Sequence, residues 1–266
     1  MENPTSTEWQ APPPPEQIAP AEQAQMSEAA TLGNIFFEPG RTFEDLRRKP
    51  RFILAAVIMA LLFTAYLIGL ATKVGDDGMR RFIAEQIDKS PQAAALSPEQ
   101  KSNAIDLQMT IGKYSRFATP VVIFITFLVG GLLYWAAAKA FGGSGGFLHA
   151  LSVWIYSGLP PMVVAMIANF IVLIFKSADD IDLALAQRGL VNANPSFFID
   201  GRASPVLSTL LSAFDLFAIW GWILAAIGLR ITNRLSSGAA WAAVLLVALI
   251  GITLRVVFAL ISGNPM

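Results

Sequence analysis

Two ionisable side chains stand inside long apolar runs: Asp215 in FDLFAIWGW and Arg255 in GITLRVVFAL. A charge near the centre of a bilayer costs at least about 2.5 to 3.5 kcal/mol on insertion scales, so such groups are the first candidates for function. Asp215 lies about nine residues into its run and Arg255 about seven before the end of the next, which puts both about 10 to 14 Å below one membrane face. Equal depth on adjacent antiparallel helices permits an ion pair that registers the two helices. Contact with a partner or substrate, or a proton relay, are the other chemistries this spacing allows.

Gly142-Gly143-Ser144-Gly145-Gly146, with His149 following, has the outline of a nucleophile elbow. That elbow needs a strand before the serine, whereas here an apolar helix-like run ends at Phe141, so a flexible glycine connection is the better reading. Asp179, Asp180 and Asp182 read as a solvated helix start rather than a metal cluster, with one histidine and no cysteine in the chain. No glycine pattern for phosphates follows a strand. No catalytic, cofactor-binding or metal residues are therefore expected, and the chain is read as not an enzyme.

The elements that must position these residues are apolar. Hydrophobic residues make up 55% of the 266 and charged residues 14%, against about 25% charged in soluble domains. Nineteen basic and 19 acidic side chains cancel, which leaves no nucleic-acid footprint. The absence of cysteine excludes disulfides and thiolate chemistry. The first thirty residues lack the apolar core of a cleavable signal, so the first hydrophobic segment is expected to act as the targeting signal.

A membrane-crossing helix needs about 20 apolar residues, and five segments qualify: 52–72, 119–141, 148–175, 206–229 and 239–261. The expected fold is an all-α membrane protein, a bundle of five transmembrane helices with an amphipathic interfacial helix before it and a helical extracytoplasmic loop after the first crossing. Residues 1–31, with Pro12 to Pro15 in a row, read as a disordered cytoplasmic tail, or alternatively a polyproline ligand, and 32–262 as the membrane domain.

In IFFEPGRTFEDLRRKPR, a turn at Pro39-Gly40 and a capping box from Thr42 to Asp45 predict a short helix. Its Phe43 and Leu46 would join Phe36 and Phe37 against the bilayer, with Arg41, Arg47, Arg48, Lys49 and Arg51 at the headgroups. Gly158, Pro160 and Pro161 predict a kink or break in the third segment, with the stretch from Tyr156 to Pro161 facing the bundle. Between the first two segments, Ser97-Pro98 predicts a helix start. Gly130-Gly131 and small residues four apart, such as Gly221 with Ala225, predict close helix contacts. Basic residues at Arg41 to Arg51, Lys139, Arg230 and Arg234 fall on one side of this layout. The amino terminus is therefore expected in the cytoplasm and the carboxyl terminus outside it, in a multi-pass protein of a bacterial inner membrane.

Three stretches resemble the Yip family of membrane proteins, named for interaction with Ypt/Rab GTPases: IFFEPGRTFEDLRRKPR, ALSVWIYSGLPPMV with Tyr156 and Pro160, and FDLFAIWGWILAAIGLR with Asp215, Trp220 and Gly228. The resemblance covers roughly Leu32 to Ile261 and implies a five-helix bundle with a cytosolic amino terminus. A GTPase partner follows only by analogy with eukaryotic members, and no motif in the tail matches such a surface. The expected role is a non-enzymatic scaffold or adaptor whose partners are the bilayer and other integral membrane proteins or itself. The alternative is a transporter or channel component built on the broken third segment and on Asp215 and Arg255.

Overall fold

A computed structural model describes residues 24–90, 95–186, 189–201, 203–263 and 265. Among the described residues every regular element is helical: α1 Glu28–Asn34, α2 Pro39–Arg48, α3 Ile53–Asp88, α4 Pro98–Ala140, α5 Phe147–Phe175, α6 Leu183–Ala186, α7 Pro205–Ser212, α8 Leu216–Thr232 and α9 Ser237–Ser262. Most of the expected tail, residues 1–23, lies outside the described residues, and its last part forms the first turn of α1, capped by the Ser27 hydroxyl accepting from Ala30 N–H at 3.1 Å.

Among the described residues four helices, α3, α4, α5 and α9, are by themselves long and apolar enough to cross a membrane. The fourth sequence segment is not one helix. It is divided into α7 and α8, bent by 44°, and makes a fifth crossing if the pair is taken as one span. The third segment, expected to break, does not: α5 runs as one helix through Pro160 and Pro161. A proline φ is already helical, so the cost lies in lost hydrogen bonds and ring crowding. Both prolines are buried, as is Tyr156 at 1% exposure, and the packed neighbours keep the helix continuous through the loss.

Helix lengths define two ends of the bundle. The near end carries α1 and α2, and from it α3 runs for 36 residues, about 54 Å at about 1.5 Å per residue, against about 30 Å of hydrocarbon. Gly75, with φ 72° and ψ 176°, interrupts α3 just past its apolar part. The remainder pairs with the first half of α4 through exposed bridges, Arg80 to Asp106 at 2.6 Å and Lys101 to Asp88 at 2.7 Å. Ser97 starts α4 with a capping box to Gln100, at the position that Ser97-Pro98 predicts.

One apolar core joins α2, α3, α4, α5, α8 and α9, with Tyr156, Leu151, Leu229 and Val244 each at most 1% exposed. A smaller one at the far end packs Tyr66, Leu70, Met166 and Leu173 under Ile181 and Leu183, with Tyr66 Oη donating to the Ala186 carbonyl at 2.6 Å. α4 and α5 approach closely at Gly130 and Gly131, where an added Cβ would lie 2.0 Å from the Trp154 ring and 2.9 Å from Leu151 Cα.

Candidate functional site

The amino-terminal module differs from its expected surface posture. α2 starts at Pro39, whose fixed φ suits the first helical position, so Pro39-Gly40 opens the helix rather than preceding it. Thr42 Oγ1 donates back to the Glu38 carbonyl at 3.1 Å, which replaces the expected capping box. Phe43 and Leu46 are fully buried, and Phe43 packs against Gly228 of α8, where a Cβ would come within 2.9 Å of its ring. Phe36 is half-buried against the same core, and only Phe37, at 87% exposure, points outward. The hydrophobic face of α2 thus covers protein rather than lipid.

Arg51 departs from the headgroup position that the spacing of basic residues predicts. Its guanidinium pairs with Asp45, and the two side chains are only 10% and 2% exposed. Arg51 also donates to the Met26 carbonyl at 2.6 Å and to Thr31 Oγ1 at 3.0 Å, while Asp45 accepts from the backbone N–H groups of Gln25 and Met26. Additional hydrogen bonds offset part of the cost of burying such a pair, and here the bonds to Gln25, Met26 and Thr31 knot α1, α2 and the start of α3 together, while Arg51 Nε is buried without a hydrogen bond among the described residues. His149 Nε2 donates to the Arg47 carbonyl at 3.0 Å and fastens α5 to the same module. The neighbouring glycine connection docks through Ser144 N–H on the Asn233 carbonyl at 3.0 Å.

The far end holds the two charges singled out first. Asp215 sits at the break between α7 and α8 and caps α8: its Oδ1 accepts from Phe217 N–H at 2.9 Å and Ala218 N–H at 3.4 Å. Its Oδ2 accepts from Asn194 Nδ2 at 3.1 Å. A carboxylate at a helix N-terminus satisfies donors that have no intrahelical partner, which is how an acid is tolerated within this apolar run. Arg255 of α9 donates to Ser212 Oγ at the end of α7, 3.0 Å away. The two share one site, with Arg255 tied to the α7 side of the helix break and Asp215 to the α8 side.

Both line a cavity of about 480 Å³ between α5, α8 and α9. Its polar part is built by Asn169, Asn194, Ser212, Asp215 and Arg255, and its apolar part by Tyr134, Trp154, Met166, Trp222 and Val247. Tyr134 and Trp154 meet edge to face at 4.9 Å between ring centroids. Asn169 anchors the roof, its Oδ1 accepting from Leu190 and Val191 N–H groups and its Nδ2 donating to the Ala165 carbonyl. Of the residues singled out by sequence, Asp215 and Arg255 meet here. Tyr156, Pro160 and Pro161 lie in the core, and Trp220 is half-buried with Trp222, two residues on, lining the cavity instead. Phe36, Phe37 and Pro39 belong to the near-end module. Asn169 escaped the sequence reading, and Asp45 was read only as the capping-box partner of Thr42, not as the buried partner of Arg51. An amide within an apolar segment was the available signal for Asn169, whereas Asp45 looks like any acid of a short polar helix.

Comparison with known proteins places this architecture. The family model of the Yip1 domain matches residues 33–260. The chain is 29% identical over 241 residues to "Membrane protein YknW" of Bacillus subtilis (strain 168), covering 89% of this chain and 91% of that one. No solved structure matches. With a domain model that runs from the end of α1 through α2 and past the helix break at Asp215, the chain belongs to the Yip1 domain family, and it is a membrane protein.

Proposed function

We propose that the chain is a non-enzymatic integral membrane scaffold or adaptor that packs laterally against other integral membrane proteins or copies of itself. The observation carrying this reading is a stripe on α4: Leu107, Ile111, Tyr114, Phe117, Val121, Ile125 and Leu132 are all exposed, Phe117 at 81%. Their spacing of three, four or seven residues keeps them on one helix face. Leu107 to Leu132 covers about 38 Å, more than the about 30 Å that lipid chains would cover. An apolar face inside hydrocarbon needs no partner. One that continues past it, among Asp106, Lys113 and Arg116, exposes apolar area to water and marks a protein contact.

In this reading residues 32–262 form one five-crossing domain, the bent α7–α8 pair supplying the fourth crossing. The proline-rich residues 1–31 are on the cytoplasmic side of a bacterial inner membrane, and the far-end α3–α4 hairpin stands outside it. The test is photo-crosslinking in intact cells with benzoyl-phenylalanine at Phe117 or Ile111, with Lys113 on a flanking face as control. Discrete protein adducts at the first two positions and not at the third are expected. Adducts to lipid alone would overturn the reading.

A further inference from the structure

The cavity at the α7–α8 break is graded along α9. Arg255 stands at its polar end, about 10 Å in from the end of α9, and Val247 at its apolar end about 12 Å deeper. Ala248 and Gly251 form the wall between them, and their small size opens the space. Gly251 is exposed, and a Cβ there would meet nothing within 4 Å. The hollow is therefore open on this side, along a part of α9 whose outer face, Leu245, Leu249 and Leu254, is exposed and apolar.

A cavity charged towards the end of α9 and aromatic about 12 Å further along that helix does not match a free ion or a polar solute, which would leave the Trp154 and Trp222 end without a partner. It matches an amphiphile. Its volume, about 480 Å³, falls in the usual range for small-molecule sites, about 300 to 1,000 Å³. We infer that this groove binds a phosphate-bearing membrane lipid, its phosphate on Arg255 and one acyl chain laid past Gly251 towards Trp222 and Val247. A guanidinium has five N–H donors in a planar fork, a geometry that holds Ser212 and a phosphate oxygen together. Asp215 does not repel such a headgroup as an isolated carboxylate would, because two α8 N–H groups and Asn194 take up its charge. With Asp215 beside Arg255, a headgroup carrying both a phosphate and an ammonium is matched at both charges.

Native mass spectrometry of the full chain in detergent tests this, with dioleoyl phosphatidylethanolamine, dioleoyl phosphatidylglycerol, uncharged dioleoylglycerol and inorganic phosphate as separate probes. Retention of one phospholipid per chain is expected, with dioleoylglycerol held at least tenfold more weakly. Gly251→Leu fills the groove without touching its charges. It should abolish retention while leaving the thermal midpoint unchanged or raised, since leucine is also the better helix former. Arg255→Gln should weaken phospholipid retention at least tenfold and leave dioleoylglycerol unaffected. Retention by folded Gly251→Leu at the wild-type level would overturn the inference even if Arg255→Gln fails to fold. Equal binding of phospholipid and dioleoylglycerol would remove the role of Arg255. Displacement of the lipid by inorganic phosphate alone would make this a phosphate site and overturn the lipid assignment.

Discussion

Asp45 accepts from the chain that precedes α1 and from Arg51 beyond the end of its own helix, with almost none of the carboxylate reaching solvent. Removing one member of a buried pair strands the other, at about 3 to 5 kcal/mol, whereas replacing both by apolar groups is close to neutral. Asp45→Ala should therefore lower stability by about that amount and expose the segment around Met26 to protease. Asp45→Ala combined with Arg51→Met should recover most of the loss. Thermal unfolding in detergent and limited proteolysis read the two effects, and equal destabilisation by the single and double variants would contradict the stranded-charge account. This pair was not legible in the sequence, because Arg51 stands in a run of basic residues that reads as a headgroup contact. Nothing local to Asp45 announces that the chain before α1 folds back over it.

Among the helices, the sequence located apolar segments well and judged their continuity poorly. Length and hydropathy suffice for the first, because about 20 apolar residues answer to one physical demand. Continuity depends on neighbours. Pro160 and Pro161 are held in α5 by burial, while the fourth segment, free of internal proline after Pro205, parts at Asp215 because that side chain offers a cap and Asn194 steadies it. An acid ahead of an apolar run is an N-cap signal, and it was present to be read. Two substitutions separate these effects. Pro160→Ala restores a helix N–H donor, worth about 3 kcal/mol in propensity, and removes about two methylenes of packing at about 0.8 kcal/mol each, so stability should rise by about 1 kcal/mol. Gly130→Val inserts atoms where a Cβ already lies 2.0 Å from the Trp154 ring, and should cost about 1 to 3 kcal/mol or more as α4 and α5 move apart. Chemical denaturation of the two variants should move in opposite directions.

Across the whole molecule, α2 packs on the near end while α9 ends beside the roof of the cavity, so the two ends of the domain differ in character. The near end is knotted by a buried ion pair, and the far end carries the graded groove. Reporter fusions before Met1 and after Met266 should score on opposite sides of the membrane if α7 and α8 together make a crossing. Fusions scoring on one side would leave four crossings and turn the bent pair into a re-entrant element. The layout of apolar segments and the charges at Asp215 and Arg255 were readable beforehand, since each rests on residue type and depth. The division of labour between the two ends was not, because it depends on contacts between residues far apart in the chain.

The half of α3 beyond Gly75 acts as a post. Its run to Asp88 lifts the tip of the hairpin about 20 Å from the glycine, and the bridges from Arg80 and Lys101 brace it against α4. Under the proposed lateral packing, a companion gripping both the lower and the raised parts of the α4 stripe must match that height, and the hairpin would then be a gauge that admits tall neighbours and leaves short ones unattached.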